Sequence, residues 1–191
     1  MRIFCILILW LPAISLANTT PSWDLRQLML GLSQVKESRA TFTEQKFLKI
    51  LKQPLESSGT LLYQSPYHLE KHTLVPRVES LVLDKGELTI DIKARNIKRT
   101  LVLQDYPAVW AFVESIRSTL AGDLPTLERF FKIELQGNST AWKVRLLPIE
   151  AKTRNTVSEI LFSGSGSKVY TIDIFESNGD HSLMRIIEDK P

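Results

Sequence analysis

The stretch that decides the fold is LESSGTLLYQSPYHLEKHTLVPRVESLVLDKGELTIDI, residues 55–92. Apolar side chains alternate with polar ones along much of it, and turn residues interrupt it at 65–66, at Pro76 and at 84–86. Alternation with a period of two residues is typical of strands that bury one face. Because the interruptions are short enough for hairpins, the stretch predicts consecutive antiparallel strands.

The same alternation continues on both sides of this stretch, and helical spacing replaces it in three places. A helix capped by Ser22 is predicted up to about Leu32, a second from Pro107 to Gly122, and a short third over 124–130. The predicted strands are 40–51, 55–64, 67–74, 79–84, 87–93, 98–103, 131–135, 141–147, 156–162, 169–175 and 181–187. This order predicts an α+β fold, with a curled antiparallel sheet of about eleven strands covered by two or three helices.

The first seventeen residues have the three-part pattern of a secretory signal peptide. Arg2 precedes an apolar run over residues 3–11, and small residues follow at Ser15 and Ala17. The run has about half of the roughly 20 residues that a membrane-spanning helix needs. We therefore expect a cleaved signal peptide over 1–17, export from the cytoplasm, and a single domain over 18–191.

Composition excludes several classes of function. Cys5, the only cysteine, lies inside the expected signal peptide, so the mature chain is expected to have no disulfide, thiol nucleophile or lipid-modified cysteine. The net charge is +3, and the basic residues are spread along the chain without interleaved aromatics. We therefore expect no nucleic-acid partner.

The sequence offers little support for catalysis or metal binding. His68 and His72 would share one face of a strand, but no third ligand lies near them in sequence. The zinc motif H-E-x-x-H, the nucleophile elbow G-x-S-x-G and phosphate-binding glycine loops are all missing. We expect no enzyme, no metal and no cofactor, and a lipid-ester hydrolase has no candidate triad here.

The alternating strands present more apolar surface on one face than two or three helices can cover. This pattern alone is compatible with an ordinary filled core or with an apolar cavity between the curled sheet and the helices. Periodicity does not choose between the two.

Four short segments carry a resemblance to a known family: 40–46 (ATFTEQK), 59–63 (GTLLY), 65–69 (SPYHL) and 82–86 (VLDKG). In this order they resemble the LolA-type outer-membrane lipoprotein carriers, over most of the chain. The resemblance implies an incomplete β-barrel whose mouth is covered by helices and whose cavity holds acyl chains in the periplasm. It also implies a monomer that takes a lipoprotein or lipid cargo from an inner-membrane exporter to an outer-membrane acceptor.

Strand parity and the resemblance together predict which residues bind the acyl chains. The expected cavity residues of the sheet are Phe42, Leu61, Leu69, Leu81, Leu83, Ile90 and Ile92. The expected residues of the helical lid are Trp110, Val113 and Ile116. Lys71 either contacts an anionic headgroup or forms a cross-strand ion pair with Glu79.

The chain also departs from the carrier pattern. Ser65 occupies the place where many carriers have an arginine that helps to latch the lid. Residues 69–71 (LEK), with Pro76 and Glu79, resemble a divergent LolA-like branch associated with lipid or aryl-polyene export. A lipid or lipid-linked aryl-polyene pigment is therefore an alternative to a lipoprotein as cargo. The same fold also serves periplasmic lipid sensors that regulate a membrane partner, and this stands as the alternative function.

Overall fold

The computed structural model describes residues 23–189, so the expected signal peptide over 1–17 lies outside the described residues. The helices are α1 (Leu25–Ser33), α2 (Pro107–Ala121), α3 (Leu124–Phe130) and α4 (Ala151–Arg154). The strands are β1 (Glu37–Phe47), β2 (Leu55–Gln64), β3 (His68–Val75), β4 (Glu79–Asp84), β5 (Glu87–Ile92), β6 (Ile97–Val102), β7 (Phe131–Asn138), β8 (Ala141–Pro148), β9 (Val157–Ser165), β10 (Lys168–Glu176) and β11 (His181–Glu188).

All eleven strands belong to one antiparallel sheet in the order β6-β5-β4-β3-β2-β1-β11-β10-β9-β8-β7. The sheet is not closed, since β6 and β7 form its two edges. Strands that are consecutive in the chain pair with each other, except β6 and β7, which α2 and α3 connect. In the middle of the sheet the first strand pairs with the last. The predicted α+β fold with a curled antiparallel sheet and helices is confirmed.

The element boundaries differ from prediction in a few places. Asp24, and not a residue further upstream, caps α1, because its side chain accepts a hydrogen bond of 2.9 Å from the Gln27 amide. Ser22, the predicted cap, lies outside the described residues. Strand β1 ends at Phe47, since a turn begins there in which the Leu51 amide donates to the Leu48 carbonyl.

The core is divided unequally between the two halves of the sheet. The larger cluster fills the space between β7–β11 and helices α1 and α3, and Val144, Ile160 and Leu127 in it are fully buried. A small cluster of Leu83, Leu103 and Val113 joins the other half of the sheet to α2. Fewer buried side chains therefore lie between α2 and the inner face of β2–β5 than in the other half of the sheet.

Among residues 23–189, no helix has the length and apolar character needed to cross a membrane.

Candidate binding cavity

A cavity of about 390 Å³ lies between α2 and the inner face of the curled sheet. Its surface is almost entirely apolar. Helix α2 contributes Val109, Phe112, Val113, Ile116 and Leu120. The sheet contributes Leu61, Leu69, Leu81, Leu83, Leu88 and Ile90 on one side, and Val169, Ile172, Ile174, Met184 and Ile186 on the other.

Strand register explains why these side chains form continuous walls. Leu69 pairs with Leu83, which pairs with Leu88, and directly paired residues project to the same face. The three leucines therefore form one apolar row across β3, β4 and β5. On α2, positions 109, 113, 116 and 120 follow helical spacing, so they share the stripe that faces this row.

The structure brings most of the predicted site residues together around this cavity. Those in its lining are Leu61, Leu69, Lys71, Leu81, Leu83, Ile90, Val113 and Ile116. The lining does not include Phe42, Ile92 and Trp110. For these three, the expectation that they line the cavity is corrected.

Each exception has a physical reason. Phe42 lies on the inner face of β1, but its ring packs over Gly59, which leaves room because it has no side chain, and only 2% of Phe42 is exposed. Trp110 is one position away from the Val109 stripe, and its ring packs edge-on against Phe130 at 5.3 Å. Ile92 is the last residue of β5, beyond the cavity.

Sequence reasoning missed the second wall, which β10 and β11 provide. Alternating apolar residues were visible at Ile172 and Ile174, but no local signal places them opposite β3. They face the cavity because β11 pairs with β1, with Phe42 opposite Ile186 and Glu44 opposite Met184.

One ion pair interrupts the apolar lining. The Lys71 ammonium lies 2.6 Å from Oε2 of Glu44 and 4.9 Å from the centre of the Phe42 ring. The side chains are 25% and 16% exposed, respectively. The predicted alternative, a pair with Glu79, is wrong, because Lys71 lies opposite Leu81 in the register and Glu79 lies opposite Thr73.

A second polar cluster fastens α2 to the sheet. Arg117, only 6% exposed, donates hydrogen bonds to Glu114 and Asp123 at 2.8 and 2.9 Å and to the Pro66 carbonyl at 3.2 Å. Burial alone would lower the pKa of the guanidinium, but the two carboxylates outweigh it and raise that pKa. The guanidinium also lies 5.6 Å from the ring centre of Tyr67.

This cluster bears on the missing lid arginine at position 65. The β2–β3 turn supplies a carbonyl and an aromatic ring, and the arginine that joins helix to turn comes from α2. In this chain the cation of the contact therefore lies on α2, and the turn provides the groups that it binds.

The histidines of β3 lie outside the cavity. Nε2 of His68 and Nε2 of His72 contact the two oxygens of Glu70 at 2.7 and 2.5 Å, on the face opposite Leu69. These hydrogen bonds lower the pKa of Glu70, and the bond to Glu70 raises the pKa of His68. Within residues 23–189, no three His, Cys, Asp or Glu side chains are arranged to hold a metal ion.

Comparison with known proteins places the chain in a family. Residues 17–186 match the family model described as outer membrane lipoprotein carrier protein LolA-like. No curated protein matches the sequence.

The solved structures that match the chain have very low sequence identity to it. A LolA superfamily protein from Nitrosomonas europaea is 8% identical with a TM-score of 0.43, and covers 89% of this chain and 96% of its own. An outer membrane lipoprotein-sorting protein domain from Vibrio parahaemolyticus has 7% identity and a TM-score of 0.49, and the match covers 87% of this chain and 91% of that one. The Pseudomonas aeruginosa MucA/MucB complex has 11% identity, a TM-score of 0.44 and coverage of 85% and 53%. The family match spans most of the sequence, and the chain belongs to the outer membrane lipoprotein carrier protein LolA-like family.

Proposed function

We propose that this protein is a periplasmic carrier that shields the acyl chains of a lipoprotein or a lipid in its apolar cavity. It receives this cargo from an inner-membrane exporter, crosses the periplasm as a soluble monomer, and releases the cargo to an outer-membrane acceptor. No chemical step is needed, because the protein only moves the acyl chains from one apolar environment to another.

The observation that carries the proposal is the cavity of about 390 Å³ under α2. An apolar cavity of about 150 Å³ in a protein core already stays dry and takes up benzene or xenon. The cavity here is more than twice that size, and it falls in the range of small-molecule pockets, roughly 300–1,000 Å³. A cavity with these properties favours an apolar ligand.

Its chemistry favours a flexible hydrocarbon chain. Leucine, isoleucine and valine dominate the lining, so the walls offer dispersion contacts and few directional hydrogen bonds. Each methylene group moved from water into such a site gains about 0.8 kcal/mol. Affinity then grows with chain length, while the binding stays reversible, as transfer requires.

The Glu44–Lys71 ion pair fits the polar end of such a cargo. Its side chains are partly exposed and lie in the lining, so they can meet an ester, an amide or a headgroup without leaving the apolar wall. In this proposal Lys71 contacts the headgroup while Glu44 holds the ammonium in position.

A displacement assay with a fluorescent fatty acid tests the cavity. Leu81→Trp adds bulk inside the lining, and we expect it to weaken binding at least about tenfold. Ile92→Trp is the matched control, because it lies on the same sheet face outside the lining. Equal loss in both variants, or none in either, would refute the assignment of the cavity.

Native mass spectrometry and transfer kinetics test the carrier role. Protein purified gently from a periplasm should retain lipid, and lipid-free protein should speed the movement of a labelled lipid between two vesicle populations. A protein that binds the lipid but does not accelerate transfer would instead be the lipid sensor named as the alternative.

A further inference from the structure

Three neighbouring hairpin turns lie at one end of the sheet and share an unusual composition. They are the β1–β2 turn (48–54), the β3–β4 turn (76–78) and the β5–β6 turn (93–96). Together they contain no aspartate or glutamate. Their basic residues are Lys49, Lys52, Arg77, Lys93 and Arg95, all exposed. We call this group of turns the basic end.

The strand register places these turns side by side. Lys46 pairs with Leu55, Ser58 with Val75, and Ile92 with Ile97. All three turns therefore lie at the same end of the strands. Adjacent strands are about 4.8 Å apart, so successive hairpin turns are spaced about 10 Å apart. Arg117 of α2 binds the β2–β3 turn, which belongs to the opposite end of the sheet.

Apolar side chains protrude among these cations. Ile50 is 88% exposed, Val75 is 57%, Val78 is 51% and Leu51 is 43%. Within residues 23–189, none of the basic side chains of the basic end forms a salt bridge. The adjoining β10–β11 turn carries Asp180, whose carboxylate accepts a hydrogen bond of 2.8 Å from the Lys49 amide.

We propose that the basic end docks on the surface of an anionic phospholipid bilayer. Lysine and arginine side chains are attracted to anionic headgroups, and exposed apolar side chains enter the boundary between headgroups and acyl chains. The exposed apolar residues stand on separate turns, which suits insertion at several points better than one flat protein contact. A second copy of the chain is disfavoured, because two basic ends would repel each other.

The position of the cavity agrees with this docking. Leu81 and Ile90 line the cavity, and each lies three residues from a turn of the basic end. A bilayer bound to the basic end would therefore lie next to the part of the cavity wall that Leu81 and Ile90 form. The role of this docking rests on the proposed carrier function, to which it adds a direct contact with the membrane.

Flotation with large unilamellar vesicles tests the docking. Lipid-free protein is mixed with vesicles of phosphatidylglycerol and phosphatidylcholine in equal parts, or of phosphatidylcholine alone. We expect binding to the anionic vesicles, weakened by salt, and little binding to the neutral ones. Lys52→Glu combined with Arg77→Glu should lower the partition coefficient at least about 25-fold, since each cation contributes about fivefold. Ile50→Ser should lower it about fivefold.

The matched control changes the same net charge at the opposite end of the sheet. Lys85→Glu combined with Lys143→Glu places the reversal in the β4–β5 turn and at the start of β8, where both lysines are exposed. This variant should keep most of its binding. Circular dichroism should show that all variants fold like the parent protein.

Several outcomes would overturn the inference. They are absence of binding to anionic vesicles, equal binding to neutral vesicles, and equal loss in the two charge-reversal variants. A photo-crosslinker at position 50 that captures an acidic protein and no lipid in cells would replace the bilayer with a protein partner. Because vesicle binding is measured without cargo, it can fail while the cavity assay succeeds, and the reverse.

Discussion

Replacing Arg117 by methionine tests how α2 is held over the sheet. The substitution keeps an apolar stem of similar length and removes the guanidinium, which leaves the Glu114 carboxylate without its cationic partner. Glu114 is 8% exposed, so solvent reaches it poorly, and the Ser118 hydroxyl at 3.1 Å is its remaining donor. Asp123, with a side chain 33% exposed, can recover hydration.

The magnitude follows from this burial. Removing one partner of a buried ion pair typically costs 3–5 kcal/mol, mainly because the other charge stays buried and unpaired. Since Asp123 can rehydrate, we expect Arg117→Met to lower the free energy of unfolding by about 3 kcal/mol. For a domain of this size, the melting temperature should fall by roughly 6–12 °C.

Urea unfolding followed by circular dichroism measures this loss, and two further variants make it interpretable. Arg39→Met removes an exposed ion pair with Glu37 and should cost at most about 1 kcal/mol. Adding Glu114→Gln to Arg117→Met removes the stranded charge and should recover more than half of the stability. If Arg117→Met costs less than about 1 kcal/mol, or if Glu114→Gln deepens the loss, the assignment of the cluster is refuted.

Three further predictions concern the other charged groups. The hydrogen bond to Glu70 raises the pKa of His68 above 6.5. The contribution of protonated His68 to the stability of the fold is therefore complete below pH 6.5 and is lost as the pH rises through the raised pKa. Glu70→Gln should therefore move the His68 titration, followed by NMR, back toward 6.5 and reduce the fall in stability between pH 6 and pH 8. Burial raises the pKa of Asp173, and its Oδ1 has no hydrogen-bond partner within the described part of the chain. Asp173→Asn should therefore raise the free energy of unfolding at pH 7 by about 1 kcal/mol, measured by urea unfolding, and by less at acid pH. Lys71→Met leaves Glu44 unpaired in the cavity wall and should cost about 1–2 kcal/mol by the same method, and Glu44→Gln in the same chain should reverse most of that cost.

The hairpins were predictable because turn residues and the alternation of apolar residues can be read from short stretches of sequence. The turn predicted at 84–86 is present, and Lys85 and Gly86 have φ of 47° and 88°, as tight hairpin turns require. Once the hairpins are fixed, the alternation of residues fixes the inner face, and Leu69, Leu81 and Ile90 lie on it.

The remaining features depend on contacts between distant segments. The protein partner considered for Lys71 was Glu79 on the neighbouring strand β4, but Glu44 pairs with it from β1, on the other side of β2. Arg117 binds the carbonyl of Pro66, which is 51 residues away in sequence. Trp110 is three residues from Val113, so helical spacing allowed both on one face. The structure instead places Trp110 against Phe130, beside the stripe that lines the cavity.

The pairing of β1 with β11 has a consequence for how the protein reaches its native state. Ala40 lies opposite Glu188, so the centre of the sheet joins the two extremes of the folded chain. The walls contributed by β2–β5 and by β10–β11 meet only across this seam. The cavity therefore forms only when the last strand docks on the first, and the two walls enclose no space before that step. High contact order of this kind slows folding, so partly folded molecules keep apolar strand surface exposed for longer than those of a protein built of local contacts.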